Sequence, residues 1–150
     1  MKTKVELCDI CHEDLVNLFS TALYGSTYLE CDYHVWDNDD VVTFKERDCF
    51  EDKIARCLLS GKQVVMIDHE AEDESEGYGE LDYYWDTYYN CMCYPIGLDD
   101  IKQGVEKMLD GDDTWLRRCA RAWVYEQDDF DLEMADTIIQ YIMFGEVIYG

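Results

Sequence analysis

Between Lys62 and Lys102 the chain carries eleven acidic residues and no Lys or Arg. From Ala122 to Gly150 it carries seven more, again with no Lys or Arg. Like charges at this density repel one another in a compact state. Only a chain with ample apolar surface to bury can fold against that repulsion. This one qualifies, because 48% of its 150 residues are hydrophobic and 14% aromatic. An acidic disordered chain is poor in both. The length suits one domain over residues 1–150, with a core of its own.

Apolar spacing sets the expected elements. Val5, Leu7 and Ile10 suggest a short strand or extended lead-in. Leu15, Leu18, Phe19, Ala22 and Leu23 recur at helical intervals, which predicts a helix over 11–24 stopped by Gly25. Tyr28 to Trp36 alternates as a half-buried strand. Asp37-Asn38-Asp39-Asp40 reads as a turn, and Val41 to Phe44 as the second arm of a hairpin. Phe50, Ile54, Cys57 and Leu58 predict a helix opened near Asp48 and closed by Gly61. Val64 to Ile67 reads as a strand and 68–80 as an acidic loop. The Tyr- and Trp-rich run Leu81 to Tyr94 is expected to be a strand, broken at Pro95. Leu98 to Leu109 and Met134 to Met143 predict helices; 114–125 is either a helix or a helix followed by a strand. The expected fold class is α+β: a single domain, with a small antiparallel sheet and about four or five helices packed on one face.

Thirty-five acids against 12 Lys and Arg give a net charge of -23. Direct binding of DNA or RNA through phosphates needs a basic surface, and anionic membranes attract one. Both are disfavoured. Uncharged runs fall short of the ~20 residues of a membrane helix. The opening MKTKVELCDI has no apolar core of a secretory signal. The expected location is the cytosol of the cell that makes it, where the eight cysteines would stay mostly reduced.

Two shorter acidic clusters, Asp37 to Asp40 and Asp110 to Asp113, join the two long stretches. A single charge run is usually just a solvated loop. Four on so small a body suggest a surface that imitates nucleic acid, offering carboxylates to Lys and Arg pockets that normally hold phosphates. Aromatics interleave with them, since Tyr78, Tyr83, Tyr84, Trp85, Tyr88 and Tyr89 lie among Glu80, Asp82 and Asp86. Tyr and Trp are common interface anchors; the alternative reading of that run is a buried strand, and alternation lets one face do each. The expected partner-binding residues are Glu72, Asp73, Glu74, Glu76, Glu80, Asp82, Asp86, Tyr84 and Tyr88, with Asp128, Asp129 and Asp131 as a second patch.

Chemistry-bearing motifs are sparse. Cys8-Asp-Ile-Cys11-His12 has the spacing of half a zinc site. Its possible complements are Cys31 with His34, or Cys91 with Cys93. With one residue between them, Cys91 and Cys93 are expected to point to opposite faces of a strand, which argues against a shared metal. A redox pair at Cys8 and Cys11 would need a strand–helix–strand context. No phosphate loop, nucleophile elbow or HExxH motif occurs, and the Asp37 cluster lacks the glycine and distal Glu of an EF-hand. The expectation is no catalytic residue, no metal and no cofactor.

Ala22-Leu23-Tyr24-Gly25-Ser26-Thr27-Tyr28 resembles an ALEGG-x-x-Y-W turn. Ala135 to Gly150, ADTIIQYIMFGEVIYG, resembles an AD-x-IIQYALFGE-I-V-F/Y-G ending. Both occur in a largely uncharacterised family of small acidic proteins of phages and mobile elements of Gram-positive gut bacteria. The likeness covers both ends and, loosely, the section from the helix at Phe50 to the strand at Val64, and departs at the centre, where the acidic, Tyr-rich Asp68 to Tyr94 is longer. It implies genomic context more than activity. By analogy of class, that context and this charge suggest an anti-defence protein: an anti-CRISPR or anti-restriction inhibitor that mimics DNA and blocks a CRISPR-Cas effector. The alternatives are an acidic adaptor for another basic host protein, and a small-ligand sponge built on Arg117, Arg118 and Arg121.

Overall fold

In a computed structural model of the chain, residues 9–33, 42–125 and 127–150 are described. Helices α1 (His12–Tyr24), α2 (Phe50–Leu59), α3 (Leu98–Asp110), α4 (Thr114–Val124) and α5 (Leu132–Phe144) pack on a four-stranded sheet. Its strands are β1 (Leu29–Asp32), β2 (Val64–Asp68), β3 (Tyr84–Asp86) and β4 (Cys91–Ile96), in the order β1-β2-β4-β3, all neighbours antiparallel. This is the expected α+β class.

Each helix N-terminus is met by an aspartate. The carboxylates of Asp14, Asp52 and Asp100 accept the backbone N–H groups of Cys11, Cys49 and Gly97 at 3.0, 3.1 and 2.7 Å. Those of Asp113 and Asp131 accept from Leu116 and Met134 at 3.0 and 2.9 Å. A carboxylate there pairs an otherwise orphaned donor and sits at the positive end of the helix dipole. Part of the acidity therefore starts helices.

Leu15, Leu18, Phe19 and Ala22 of α1 are fully buried against α2 and α5. Trp123 of α4 joins them, its indole N–H donating to the Asp14 carbonyl at 2.9 Å. Strand alternation divides the sheet. Leu29, Cys31, Val64, Met66, Met92, Tyr94 and Ile96 enter the main core under the helices. Val65, Cys91 and Cys93 form a second, small cluster with Ile67 and Tyr84, made of strand residues alone.

Several sequence expectations shift. The strand expected over Tyr28 to Trp36 is described only as Leu29–Asp32; residues 34–41, with His34 and the Asp37 to Asp40 turn, lie outside the described residues, as do residues 1–8 with Cys8. Val42, Thr43 and Phe44 form no strand, and β1 pairs instead with the distant β2. The expected strand Leu81 to Tyr94 splits into β3, a turn and β4. Pro95 does not break it: it sits inside β4 opposite Val65. The β3 pairing ends at Cys93, so β4 is an edge on that side at Pro95, where proline is tolerated. Asp68, expected to open a solvated loop, ends β2 and is fully buried. The 114–125 ambiguity resolves as helix.

The Ala22–Tyr28 turn and the Ala135–Gly150 ending meet in space. Tyr28 donates its hydroxyl to Asp136 at 2.7 Å, and its ring packs edge-on against Tyr149 at 4.7 Å. A Cβ on Gly25 would collide with the side chain of Leu132. Gly145 ends α5 in the left-handed region, at φ 75°, and turns the tail back along the helix. There Gln140 takes the Ile148 and Tyr149 N–H groups on its Oε1, both at 2.8 Å. Its amide nitrogen donates to Asp136 at 2.7 Å and to the Tyr149 carbonyl at 2.9 Å. Tyr149 then donates to the buried Asp68 at 2.7 Å.

Candidate partner-binding surface

The β3–β4 turn presents two tyrosines to solvent. Asp86 Oδ1 accepts the N–H groups of Tyr88 and Tyr89 at 2.9 and 3.0 Å, an aspartate-closed turn. Asn90 completes it at φ 52°, a left-handed conformation that asparagine tolerates better than most residues. The outcome is an edge-to-face pair at 4.7 Å, with Tyr88 82% and Tyr89 72% exposed. Large rings so exposed gain little for folding, and pre-ordered rings are good anchors for a partner. Tyr84, one strand back, is half-buried beside Cys93; burial first, then the neighbouring thiol, raises its hydroxyl pKa.

The acidic loop follows β2. Glu72, Asp73 and Glu74 are exposed and Glu76 half-exposed, ordered by a short 3₁₀ turn over Glu74–Glu76. Asp73 accepts from the Ser75 N–H at 2.8 Å and from the Ser75 hydroxyl, and these bonds lower its pKa. Glu76 accepts from the Glu72 N–H at 3.0 Å. Glu80 and Asp82 are exposed just before β3. The second patch, Asp128 and Asp129, lies on a short 3₁₀ turn before α5, and Asp131 caps that helix. Among the described residues none of these acids, nor Asp86, forms an ion pair with a Lys or Arg.

The structure does not merge the two patches. Tyr78 packs on Phe144 at the C-terminal end of α5, at 5.9 Å between ring centres, whereas Asp131 stands at the other end. Thirteen residues at 1.5 Å rise separate them by roughly 20 Å. The loop and the Asp128 patch are separate stations.

The remaining candidates fare differently. Cys91 and Cys93 share one face, their sulfurs 3.9 Å apart. The expectation of opposite faces was wrong, because strand side chains repeat every second residue. Burial pushes the Cys93 thiol up to about 12. Among the described residues no three His, Cys, Asp or Glu side chains converge as a metal site. His12, Asp52 and Cys49 do come together, His12 Nε2 to Asp52 at 2.7 Å and Cys49 Sγ to Asp52 at 3.1 Å. The carboxylate sits between ring and thiol, and Cys49 also donates to Glu51 at 2.7 Å. These acids raise the Cys49 pKa, the reverse of what a nucleophile needs. His12 and Cys49 hold Asp52 at about 2. Arg117 donates back to the Gly111 carbonyl at 2.8 Å, and Arg118 and Arg121 are exposed on α4.

Exposure predicts a labelling pattern. Iodoacetamide on the native protein at pH 8 should modify Cys11 first and the exposed but carboxylate-bonded Cys49 more slowly, while sparing the buried Cys31, Cys57, Cys91, Cys93 and Cys119 until urea is added. Peptide mass spectrometry reads this directly; early labelling of Cys91 or Cys93 would mean that the sheet opens.

Comparison with known protein families, curated proteins and solved structures finds no match.

Proposed function

We propose that this protein is a non-enzymatic inhibitor that occupies the nucleic-acid channel of a basic DNA- or RNA-binding protein, with CRISPR-Cas effectors as the first target class. It would act in the cytosol of a bacterial host, as a product of a phage or mobile element. The observation that carries this reading is the set of loop and turn carboxylates that meet no Lys or Arg among the described residues, together with a pre-ordered tyrosine pair. Uncompensated carboxylates destabilise a folded chain by mutual repulsion, and they complement cationic pockets built for phosphate. No helix among the described residues is long and apolar enough to cross a membrane.

The test is a competition. A panel of CRISPR effector complexes is loaded with labelled target DNA and titrated with the protein at about 0.15 M salt and again at higher salt. Displacement that weakens steeply with salt is expected for paired charges at an exposed interface. No displacement from any effector would overturn the reading and leave the acidic adaptor, which binds a basic host protein without competing for its nucleic acid. The sponge is less well supported, since signalling nucleotides are anionic and a surface of net charge -23 repels them.

A further inference from the structure

The sheet face opposite the main core forms a groove of about 640 Å³, with Tyr33, and Phe50 of α2, also in its lining. Register places Glu30, Ile67, Cys93 and Tyr84 in one row across the four strands. A carboxylate therefore stands at one rim, with an apolar centre and a phenol opposite. Asp32 lies further along the Glu30 rim and Asp86 along the Tyr84 rim. Val65, Cys91 and Cys93 are buried beneath the floor, so its accessible apolar surface is that of the half-buried Ile67 and Tyr84, and Tyr89 also lines the groove. Three strand spacings of 4.7–4.9 Å separate the rims, about 14 Å in all.

We propose that this groove receives a basic segment of the partner, with one apolar side chain over Ile67 beside Tyr84 and a Lys or Arg reaching each rim. This rests on the reading above that the partner is basic. Charge complementarity selects the occupant. An anionic ligand would meet Glu30, Asp32 and Asp86, and a second copy of this chain would bring its own net charge of -23. The apolar centre rejects a uniformly charged segment, because its middle cation would be desolvated without a partner. The width sets the spacing. In an extended chain, residues i and i+4 share a face about 13 Å apart, with i+2 between them. The preferred pattern is therefore cation, any, apolar, any, cation. Both rims are pre-set: Asp86 is fixed by the two tyrosine N–H groups, and Glu30 bonds His69 Nε2 at 2.7 Å.

The probe is the acetylated amide of Arg-Ser-Leu-Ser-Arg, titrated into the full-length ¹⁵N-labelled protein. Amide shifts are expected at Glu30, Ile67, Cys93, Tyr84 and Asp86. Glu30→Gln with Asp86→Asn should weaken binding roughly three- to tenfold. Both amides can keep the existing bonds, so the fold should stand, and the ¹⁵N spectrum checks it. The scrambled peptide Leu-Arg-Arg-Ser-Ser should bind at least threefold more weakly. Equal binding of the two peptides, shifts confined to 72–76 or 128–131, or an unaffected double variant would overturn the groove. Peptide binding without DNA displacement would keep the groove and remove the nucleic-acid reading. Displacement without peptide binding would do the opposite.

Discussion

Gln140→Ala should lower stability by about 3 kcal/mol, read as a fall in the urea midpoint with an unchanged slope. Gln140 is fully buried, and its amide is saturated: two backbone N–H groups on the oxygen, one carboxylate and one carbonyl on the nitrogen. Alanine leaves those groups without partners, and each buried unsatisfied group costs roughly 1–3 kcal/mol. The tail can relieve part of that by lifting into water, which limits the loss. Lifting has its own cost. Tyr149 would leave its ring contacts with Tyr28 and Phe144, and the fully buried Asp68 would lose its hydroxyl donor. Gln140→Glu is the sharper control. It nearly conserves shape but sets a second carboxylate against Asp136, so its defect should shrink as acid neutralises the pair. A Gln140→Ala midpoint indistinguishable from the parent would mean that the tail contributes nothing to the fold.

That clamp also marks how far the sequence could be read. The helices were legible because α1, α3 and α5 carry apolar residues at 3.6-residue spacing, which depends only on local order. The hairpin was misread because Tyr28 to Phe44 looks locally complete, while β1 gains its partner from β2 some thirty residues on. The Leu81 to Tyr94 run hid a turn because its closing groups are an aspartate and an asparagine among tyrosines, not a Gly or Pro. Counting acids identified the exposed loop but could not separate carboxylates by task. Asp131 caps a helix, Asp68 is buried under Tyr149, and Glu74 has neither role. The groove was half-visible. Alternation put Glu30 and Asp32 on a polar face, but nothing local says that Ile67, Cys93 and Tyr84 lie beside them.

Tyr88→Ala with Tyr89→Ala should leave stability within about 0.5 kcal/mol of the parent and weaken partner inhibition by roughly 100-fold. The two rings are mostly solvent-exposed and touch chiefly each other, so folding loses little. An anchor of hot-spot quality is worth about 2 kcal/mol or more, close to 30-fold for each ring, and neighbouring anchors rarely add in full. The turn should survive, because Asp86 holds backbone N–H groups that alanine retains. Urea midpoints and half-inhibitory concentrations in the DNA-displacement assay, taken on the same preparations, separate the two effects. A stable variant that inhibits as well as the parent would remove the turn from the interface. The loop should behave differently. Glu72→Lys with Glu74→Lys disturbs neither the Asp73 cap nor the bond to Glu76. Its carboxylates act at a distance, so reversal should slow association about tenfold at low salt and converge with the parent as salt rises. A salt-independent loss on the tyrosine turn beside a salt-dependent loss on the loop would assign contact to the first and steering to the second.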